Sequence, residues 1–472
     1  MVDLVLHEKQ AVALRSQATE ILYGGAAGGG KSHLMRTAAI LWCSVIPGLQ
    51  VYLFRRTFPD LWKNHMEGPG SFIEMLSDWM EERWCDIHHG KHEISFWNGS
   101  KIFLCHCQHE KDRFNYQGAD IHVLMMDELT HFTDTIYRFL RSRVRLGGLD
   151  VPDEYKGQFP KILCGSNPGG TGHNWVKHNF VDYAPALEIR QTPREEGGMY
   201  RQYIPAKLED NPTLLENDPD YELRLSGLGD PALVKAMREG DWDIVAGGMF
   251  DDVWKREVHV IKPFDIPRTW HIDRSFDWGS TRPFSVGWWA ESNGEEVEYP
   301  DGTKRSFPRG TVFRIAEWYG WNGTPNEGCK MLASDIAKGI LEREMKMGIA
   351  GRVKPGPADS SIFDTQDGHS IAKSMEPVKW KAADKRPGSR KQGWERMRQM
   401  LTASMTFPME EPGLFIFENC TQFIRTIPVL PRSETDSEDI DTKAEDHIAD
   451  ETRYRLWKKR ATAGLAKTSG VY

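Results

Sequence analysis

The chain of 472 residues has no apolar run approaching the roughly 20 residues that cross a bilayer, which excludes a membrane-spanning helix. Its opening stretch, MVDLVLHEKQ, lacks the basic-then-apolar order of a secretory signal, so a cytoplasmic protein is expected. Cysteine is scarce: seven residues, an odd number scattered from Cys43 to Cys420, exclude a disulfide framework and point to reduced thiols. The paired C-x-x-C spacing of a structural zinc site is missing too. His88, His89, His92, Cys105, His106, Cys107 and His109 do crowd one stretch. Residues 93–96 and 101–107, however, alternate like a hairpin turned at Asn98-Gly99, which sends 105 and 107 to one face and 106 to the other. Nor is positive charge in excess. A net charge of −8 excludes coating of nucleic acid by bulk charge and leaves only local basic patches for such a role.

What is present is that of a globular protein, with 39% hydrophobic and 27% charged residues, and the length suggests two domains. The most informative stretch is EILYGGAAGGGKSHLMR, residues 20–36. Ile21, Leu22 and Tyr23 form a strand-like run entering a glycine turn. Gly25, Gly30, Lys31 and Ser32 then fit G-x-x-x-x-G-K-[ST], with Gly28 inside the turn. Phosphate asks for this chemistry: glycines let backbone N–H groups converge on it, Lys31 adds a mobile positive charge, and the Ser32 hydroxyl suits a magnesium ion. The helix-like run 33–42 adds its positive dipole end.

Around this turn, residues 3–18 read as an amphipathic helix whose Gln10 either reads adenine or lies on a solvated face. Residues 51–54 form a second apolar run ending at Arg55-Arg56, either a phosphate or arginine-finger contact or a charged strand end. Residues 121–128, IHVLMMDE, read as a parallel strand buried on both faces and ending in two acids. Asp127 suits magnesium through water and Glu128 the polarisation of an attacking water, as an ATP-hydrolysing enzyme requires. Residues 161–164 are another strand candidate. They run into Ser166-Asn167, placed either to sense a γ-phosphate or simply to turn the chain at Asn167-Pro168. From Tyr203 to Gly240 the chain reads as helical and charged, broken at Asp210-Asn211-Pro212, and the stretch from Gly240-Asp241-Trp242 to Gly247-Gly248 reads as a lid and hinge.

The pattern then changes. Asp277 closes a strand-like run, residues 284–290 and 311–318 supply two more, and together they predict the opening meander of an RNase H-like fold. Such folds cut phosphodiesters with carboxylates gathered around two divalent metals. Asp359 is the second candidate ligand, in a proline-flanked stretch that reads as a turn. Asp446 and Asp450 are the third and its support, sharing one helical face. Glu445, Glu317 and Asp364 are alternatives. Residues 379–398 concentrate Lys and Arg around Trp380 and Trp394, which suits either a DNA backbone or a solvated loop.

In order and spacing, these motifs resemble the large terminase subunit of tailed bacteriophages: GGAAGGGKS, YQGADIHVLMMDELTHF, SRVR at 142–145, GSNPGG, LEDNP, GDWD, FDWG, PADSSIF and EDHIADETRY. The resemblance implies an α/β chain with a P-loop ATPase domain of RecA/ASCE type over 1–205, a lid and linker over 206–262, and an RNase H-like nuclease over 263–472 with a basic tail at Lys458-Lys459-Arg460. It implies ATP with Mg²⁺ at Gly25, Gly28, Gly30, Lys31, Ser32, Asp127 and Gln10, catalysis by Glu128, and coupling through Ser166 and Asn167. Two Mg²⁺ or Mn²⁺ ions at Asp277, Asp359 and Asp446, with Asp450 in support, are implied for the nuclease. Implied partners are double-stranded DNA, the portal protein, the small terminase subunit and further copies in a ring, with Arg55, Arg56, Arg143 or Arg145 acting in trans. The implied place is the cytoplasm of the infected bacterium and, transiently, the prohead portal vertex. A nucleotide-switched DNA-binding assembly factor without nuclease activity and a repair helicase-nuclease are the competing functions.

Overall fold

The computed structural model describes residues 5–227, 234, 237–243, 248–365, 369–433 and 435–457. The chain divides into two compact units, Met1–Asp251 and Asp252–Tyr472. The basic tail at Lys458-Lys459-Arg460 lies outside the described residues.

The first unit is built on nine strands: β1 (Glu20–Gly25), β2 (Gln50–Arg55), β3 (Cys85–His88), β4 (Glu93–Phe96), β5 (Lys101–His106), β6 (Val123–Asp127), β7 (Lys161–Ser166), β8 (Arg190–Gln191) and β9 (Tyr200–Ala206). They lie in the order β3-β4-β5-β2-β6-β7-β1-β9-β8. From β5 through β9 every pairing is parallel, and only the rims, β3-β4-β5 and β8-β9, are antiparallel. The unbroken apolar runs of the sequence follow from burial on both faces. Ile21, Tyr23, Leu53, Val123 and Met125 pack into one core cluster, whereas their neighbours Leu22, Phe54, Leu124 and Met126 pack into the other. β7 is inserted between β1 and β6, the arrangement expected of an ASCE-type ATPase.

Two local readings are revised in this unit. The first helix, α1 (Glu8–Arg15), is shorter than 3–18, because Ser16 leaves the helix and its hydroxyl donates to Gln202 Oε1 at 2.6 Å. Residues 203–206 are not helical; they complete β9, whose parallel partner β1 is distant in sequence and so invisible to local pattern. Short helices follow at Pro212–Asn217 and Tyr221–Ser226. Two further helices matter below: α2 (Lys31–Val45), which starts at the end of the glycine turn, and α3 (Phe58–His65), capped by the Thr57 side chain.

In the second unit, β10 (Val260–Ile261) precedes a meander of β11 (His271–Asp277), β12 (Ser285–Glu291) and β15 (Val312–Tyr319), with the β13–β14 hairpin (Val297–Glu298, Lys304–Arg305) in the polar insert. Short strands β16 (Val353–Lys354), β17 (Pro357–Ala358) and β18 (Lys381–Ala382) and then β19 (Leu414–Phe417) complete it. β17 lies parallel to β11 and β18 parallel to β17. The order β15-β12-β11-β17-β18 is therefore third, second, first, fourth, fifth, an RNase H-like sheet extended beyond β15 by β19. The prolines that made 355–359 read as a turn are tolerated because β17 pairs over only two residues. Helices α4 (Ala333–Lys346), α5 (Ser389–Ser404) and α6 (His447–Leu456) follow, and α6 buries Glu451, Tyr454 and Arg455 against β11.

Candidate nucleotide and metal sites

The glycine turn between β1 and α2 is held by its carbonyls. Gln10 Nε2 donates to Gly30 O at 2.9 Å, the Tyr23 hydroxyl to Gly29 O at 3.0 Å, and Asn211 Nδ2 to Gly28 O at 2.6 Å. Gly30 has φ of 72°, a left-handed conformation that strains other residues, and a Cβ there would press on Gln10 Nε2, so glycine suits the position. With these carbonyls engaged, the turn offers an anion its amide groups and the N-terminus of α2. Gln10 is 2% exposed, and its Oε1 accepts the His7 N–H at 2.8 Å, so its amide braces the turn rather than standing on a solvated face.

Lys31 Nζ donates to Asn167 Oδ1 at 2.5 Å and to Ala26 O at 3.2 Å. Burial lowers the lysine pKa, against the pull of Glu128 and Asp127. Because β7 separates β1 from β6, Ser166 and Asn167 stand between Lys31 and the two acids. Thr130 ties this row together: its N–H donates to Ser166 Oγ at 3.1 Å and its hydroxyl to Asn167 O at 3.1 Å.

Asp127 is fully buried at the end of β6. Its Oδ2 accepts Arg55 Nε at 2.8 Å, His65 Nε2 at 3.0 Å and the Ser32 hydroxyl at 3.3 Å. Burial would raise its pKa, but the His65 hydrogen bond and Arg55 outweigh it and keep the carboxyl ionised. Asp127 Oδ1 has no partner among the described residues. An orphaned, ionised carboxylate oxygen beside the Ser32 hydroxyl fits a magnesium ion. Glu128 follows with φ of 57°, a left-handed conformation that a glutamate adopts only under constraint, and its Oε1 lies 3.8 Å from Arg55 Nη2. Of the arginines considered for action in trans, Arg55 is thus engaged with its own chain's two acids. Arg145 pairs with Asp120, and Arg143 donates to Gln117 O at 3.1 Å.

In the second unit, Asp277 ends β11, and Asp359 follows β17 beside it, with its N–H donating to Phe276 O at 2.9 Å. Asp446 is the N-cap of α6, and Asp450 sits one turn on, its N–H donating to Asp446 O at 2.9 Å. Burial raises the Asp277 pKa to about 6 against the opposing pull of His447. Burial and the Asp450 charge raise Asp446 to about 7. Such acids are short of positive charge. Protein cations lie close by: Lys385 Nζ is 2.5 Å from Asp359, His447 Nδ1 3.2 Å from Asp277 Oδ2, and Arg390 Nη1 3.3 Å from Asp450. Among the described residues no group of three or more His, Cys, Asp or Glu side chains is placed to hold a metal ion as the side chains stand. In donor type alone, the carboxylates of Asp277, Asp359, Asp446 and Asp450 suit hard divalent ions.

The reserve acids have other duties. Glu445 is buried, clasped by Arg425 at 2.8 and 2.6 Å and by the Tyr319 hydroxyl at 2.9 Å. Glu317 accepts the N–H groups of Gln422 and Phe423 at 2.6 and 3.1 Å, and Asp364 is exposed. Trp380 and Trp394 are 9% and 1% exposed, which removes them as stacking platforms for a nucleic acid. Sequence reasoning missed His65, Thr130, Asn211, Lys385, Arg390, His447 and Tyr454. Of these, His447 stood next to Asp446, Lys385 and Arg390 lay within the basic stretch 379–398, and Asn211, Thr130 and Tyr454 lay within LEDNP, YQGADIHVLMMDELTHF and EDHIADETRY, but nothing local joined His65 to a site.

The model of the phage terminase large subunit family matches residues 16–241. Residues 16–241 belong to that family. None of the curated proteins compared with the chain matches it. Among solved structures it is similar to the large terminase of a thermophilic bacteriophage, at 16% identity over 96% of this chain and 98% of that one, with a TM-score of 0.40. It is also similar to the large terminase of bacteriophage HK97, at 11% identity over 96% and 95%, with a TM-score of 0.40. The nuclease domain of the P22 large terminase aligns at 14% identity over 44% of this chain and 90% of that domain, with a TM-score of 0.30. The terminase match lies within the first unit, and the glycine turn, Asp127-Glu128 and Ser166-Asn167 all fall inside it.

Proposed function

We propose that the chain is a viral DNA-packaging motor subunit: an ATPase that drives duplex DNA into a prohead, joined to a metal-dependent endonuclease that cuts concatemeric DNA. The observation that supports it most is the convergence of Lys31, Ser32, Asn167, Asp127 and Glu128 on one end of the parallel sheet, within the matched residues. Lys31 would move from Asn167 to the phosphates, the turn's amides would cradle them, and Glu128 would orient the attacking water. Asn167, losing its lysine partner, would pass that change through Thr130 and Ser166. In the second unit Asp277, Asp359 and Asp446 would hold the ions, with Asp450 in support, while His447 and Tyr454 fix the Asp277 carboxylate. When bound, magnesium at the first site would offset charge on the transferred phosphoryl group, and the divalent pair at the second would activate water and stabilise the leaving 3′-oxygen.

In this reading residues 1–205 are the motor, 206–262 its lid and linker, and 263–472 the nuclease. The partners are double-stranded DNA, the portal protein and the small subunit, in a ring of copies acting in the infected cytoplasm and at the portal vertex. The RNase H-like order of the second sheet disfavours a repair helicase-nuclease, which would need a second P-loop sheet there. Supercoiled-plasmid cleavage with Mg²⁺ or Mn²⁺ and no ATP, alongside ATP hydrolysis, tests the two-site reading. Lys31→Ala is expected to abolish hydrolysis and spare cutting, and Asp277→Ala to do the reverse. Folded variants that each lose both activities would overturn two independent sites, and absence of cutting by the wild type would favour the assembly factor.

A further inference from the structure

Asp127 is gripped from one side by a residue that the ATPase chemistry sketched above does not use. His65 is the last residue of α3, fully buried, and its Nε2 lies 3.0 Å from Asp127 Oδ2. The excursion from the end of β2 to the end of α3 thus returns two donors to one oxygen, Arg55 from its start and His65 from its finish. They differ in kind. Arg55 is a cation that offsets the aspartate charge and also approaches Glu128. His65 Nδ1 is buried with no partner among the described residues, so an imidazolium would strand a second N–H there. The neutral ring, with its proton on Nε2, strands none. It fixes the carboxylate without adding a second positive charge to that of Arg55, and Oδ1 is left with no partner among the described residues. Donors behind metal-binding groups act in this way, and their loss typically costs about 10- to 100-fold in metal affinity.

We propose that His65 is the positioning residue that locks the Asp127 carboxylate for the nucleotide-bound magnesium ion, setting metal affinity rather than nucleotide affinity. The inference rests on the reading that Asp127 serves that ion.

The test uses the full chain and the fluorescent nucleotide mant-ADP, first in EDTA and then with Mg²⁺ titrated in, so that only metal at the nucleotide is read. His65→Met keeps the length and burial but removes the donor, whereas His65→Gln keeps an N–H donor. Metal-free mant-ADP affinity is expected to stay within about twofold in both. The Mg²⁺ concentration for half the metal-dependent gain should rise about tenfold in His65→Met and return to within about threefold of wild type in His65→Gln. The metal-free mant-ADP affinity, read from the first unit itself, reports on the fold of each variant. A Met variant with wild-type Mg²⁺ dependence, beside an Asp127→Asn variant that loses it, overturns the role of His65 alone. An Asp127→Asn variant that keeps it overturns the reading of Asp127 and the inference together. Equal losses in Met and Gln would make His65 a packing residue and also overturn it.

Discussion

Glu451 tests whether the acids proposed to hold metal in the second unit depend on a buried charge pair beneath them. It lies on α6, one residue after Asp450, is 0% exposed, and its Oε2 is 2.5 Å from Nη1 of Arg314, which is also 0% exposed. The Ser275 hydroxyl donates to the same carboxylate, as does Trp289 Nε1 at 3.0 Å. Glu451→Met removes the anion and leaves a buried guanidinium. Breaking such a pair costs about 3–5 kcal/mol. The lower end applies, because Glu317 remains 3.3 Å from Arg314 Nε. About 3 kcal/mol in a unit of this size corresponds to a fall in Tm of about 6–12 °C. Calorimetry of the full chain with and without nucleotide identifies the transitions: the first unit's moves with nucleotide, the second's with the substitution. The double variant Arg314→Met/Glu451→Met buries no unpaired guanidinium and is expected to melt above the single one. A fall below about 2 °C, or a double variant that melts lower than the single, would refute the claim that this pair anchors α6.

Two further outcomes follow from the first unit. Glu128→Gly relieves a left-handed glutamate, so it is expected to abolish ATP hydrolysis while raising stability in denaturant titration by about 0.5–1 kcal/mol; a loss of stability would contradict the strain. Lys161 is buried, donates to Ser16 O at 2.8 Å, and burial lowers its pKa to about 8 from 10.5. The folded state therefore releases this proton first. Relative to Lys161→Met, wild-type stability should be flat below about pH 8 and rise from there toward pH 10.5, and a falling difference across that window would show the sign to be wrong.

The glycine turn, β1 and β6 were legible because their information is contiguous: an apolar run buried on both faces, then residues whose backbone freedom or charge the ligand requires. β9 was not, since YRQYIPA becomes a strand only by lying against β1, far away in sequence. Residues 357–358 were hidden by prolines that a two-residue pairing beside β11 can accommodate. In the sites, the acids were visible and their partners were not. His65 stands 62 residues from Asp127, and Lys385 stands 26 from Asp359, separations that no spacing rule joins. Trp380 misled because a tryptophan among lysines looks like a surface platform, whereas it stacks on Phe276 with ring centroids 5.1 Å apart and lies beneath Arg274. Glu445 looked as eligible as Asp446 until the fold placed Arg425 against it.

The two sites share an electrostatic arrangement that differs in how readily it opens. Asp127 is held by Arg55, whose side chain is 14% exposed, and Asp359 by Lys385, whose side chain is 44% exposed. At equal distance and dielectric a divalent ion attracts a carboxylate twice as strongly as either cation does. The net gain on exchange depends on where the displaced cation goes. Lys385 can swing into water and recover its hydration, whereas Arg55 sits on Asp127 Oδ2, with Glu128 3.8 Å away, and leaves Oδ1 open. In the proposed nuclease, ion entry at Asp359 would therefore require one flexible side chain to leave. At Asp127 the open Oδ1 leaves Arg55 in place between Asp127 and Glu128, so in the proposed motor the ion and the catalytic acid would be linked through one guanidinium.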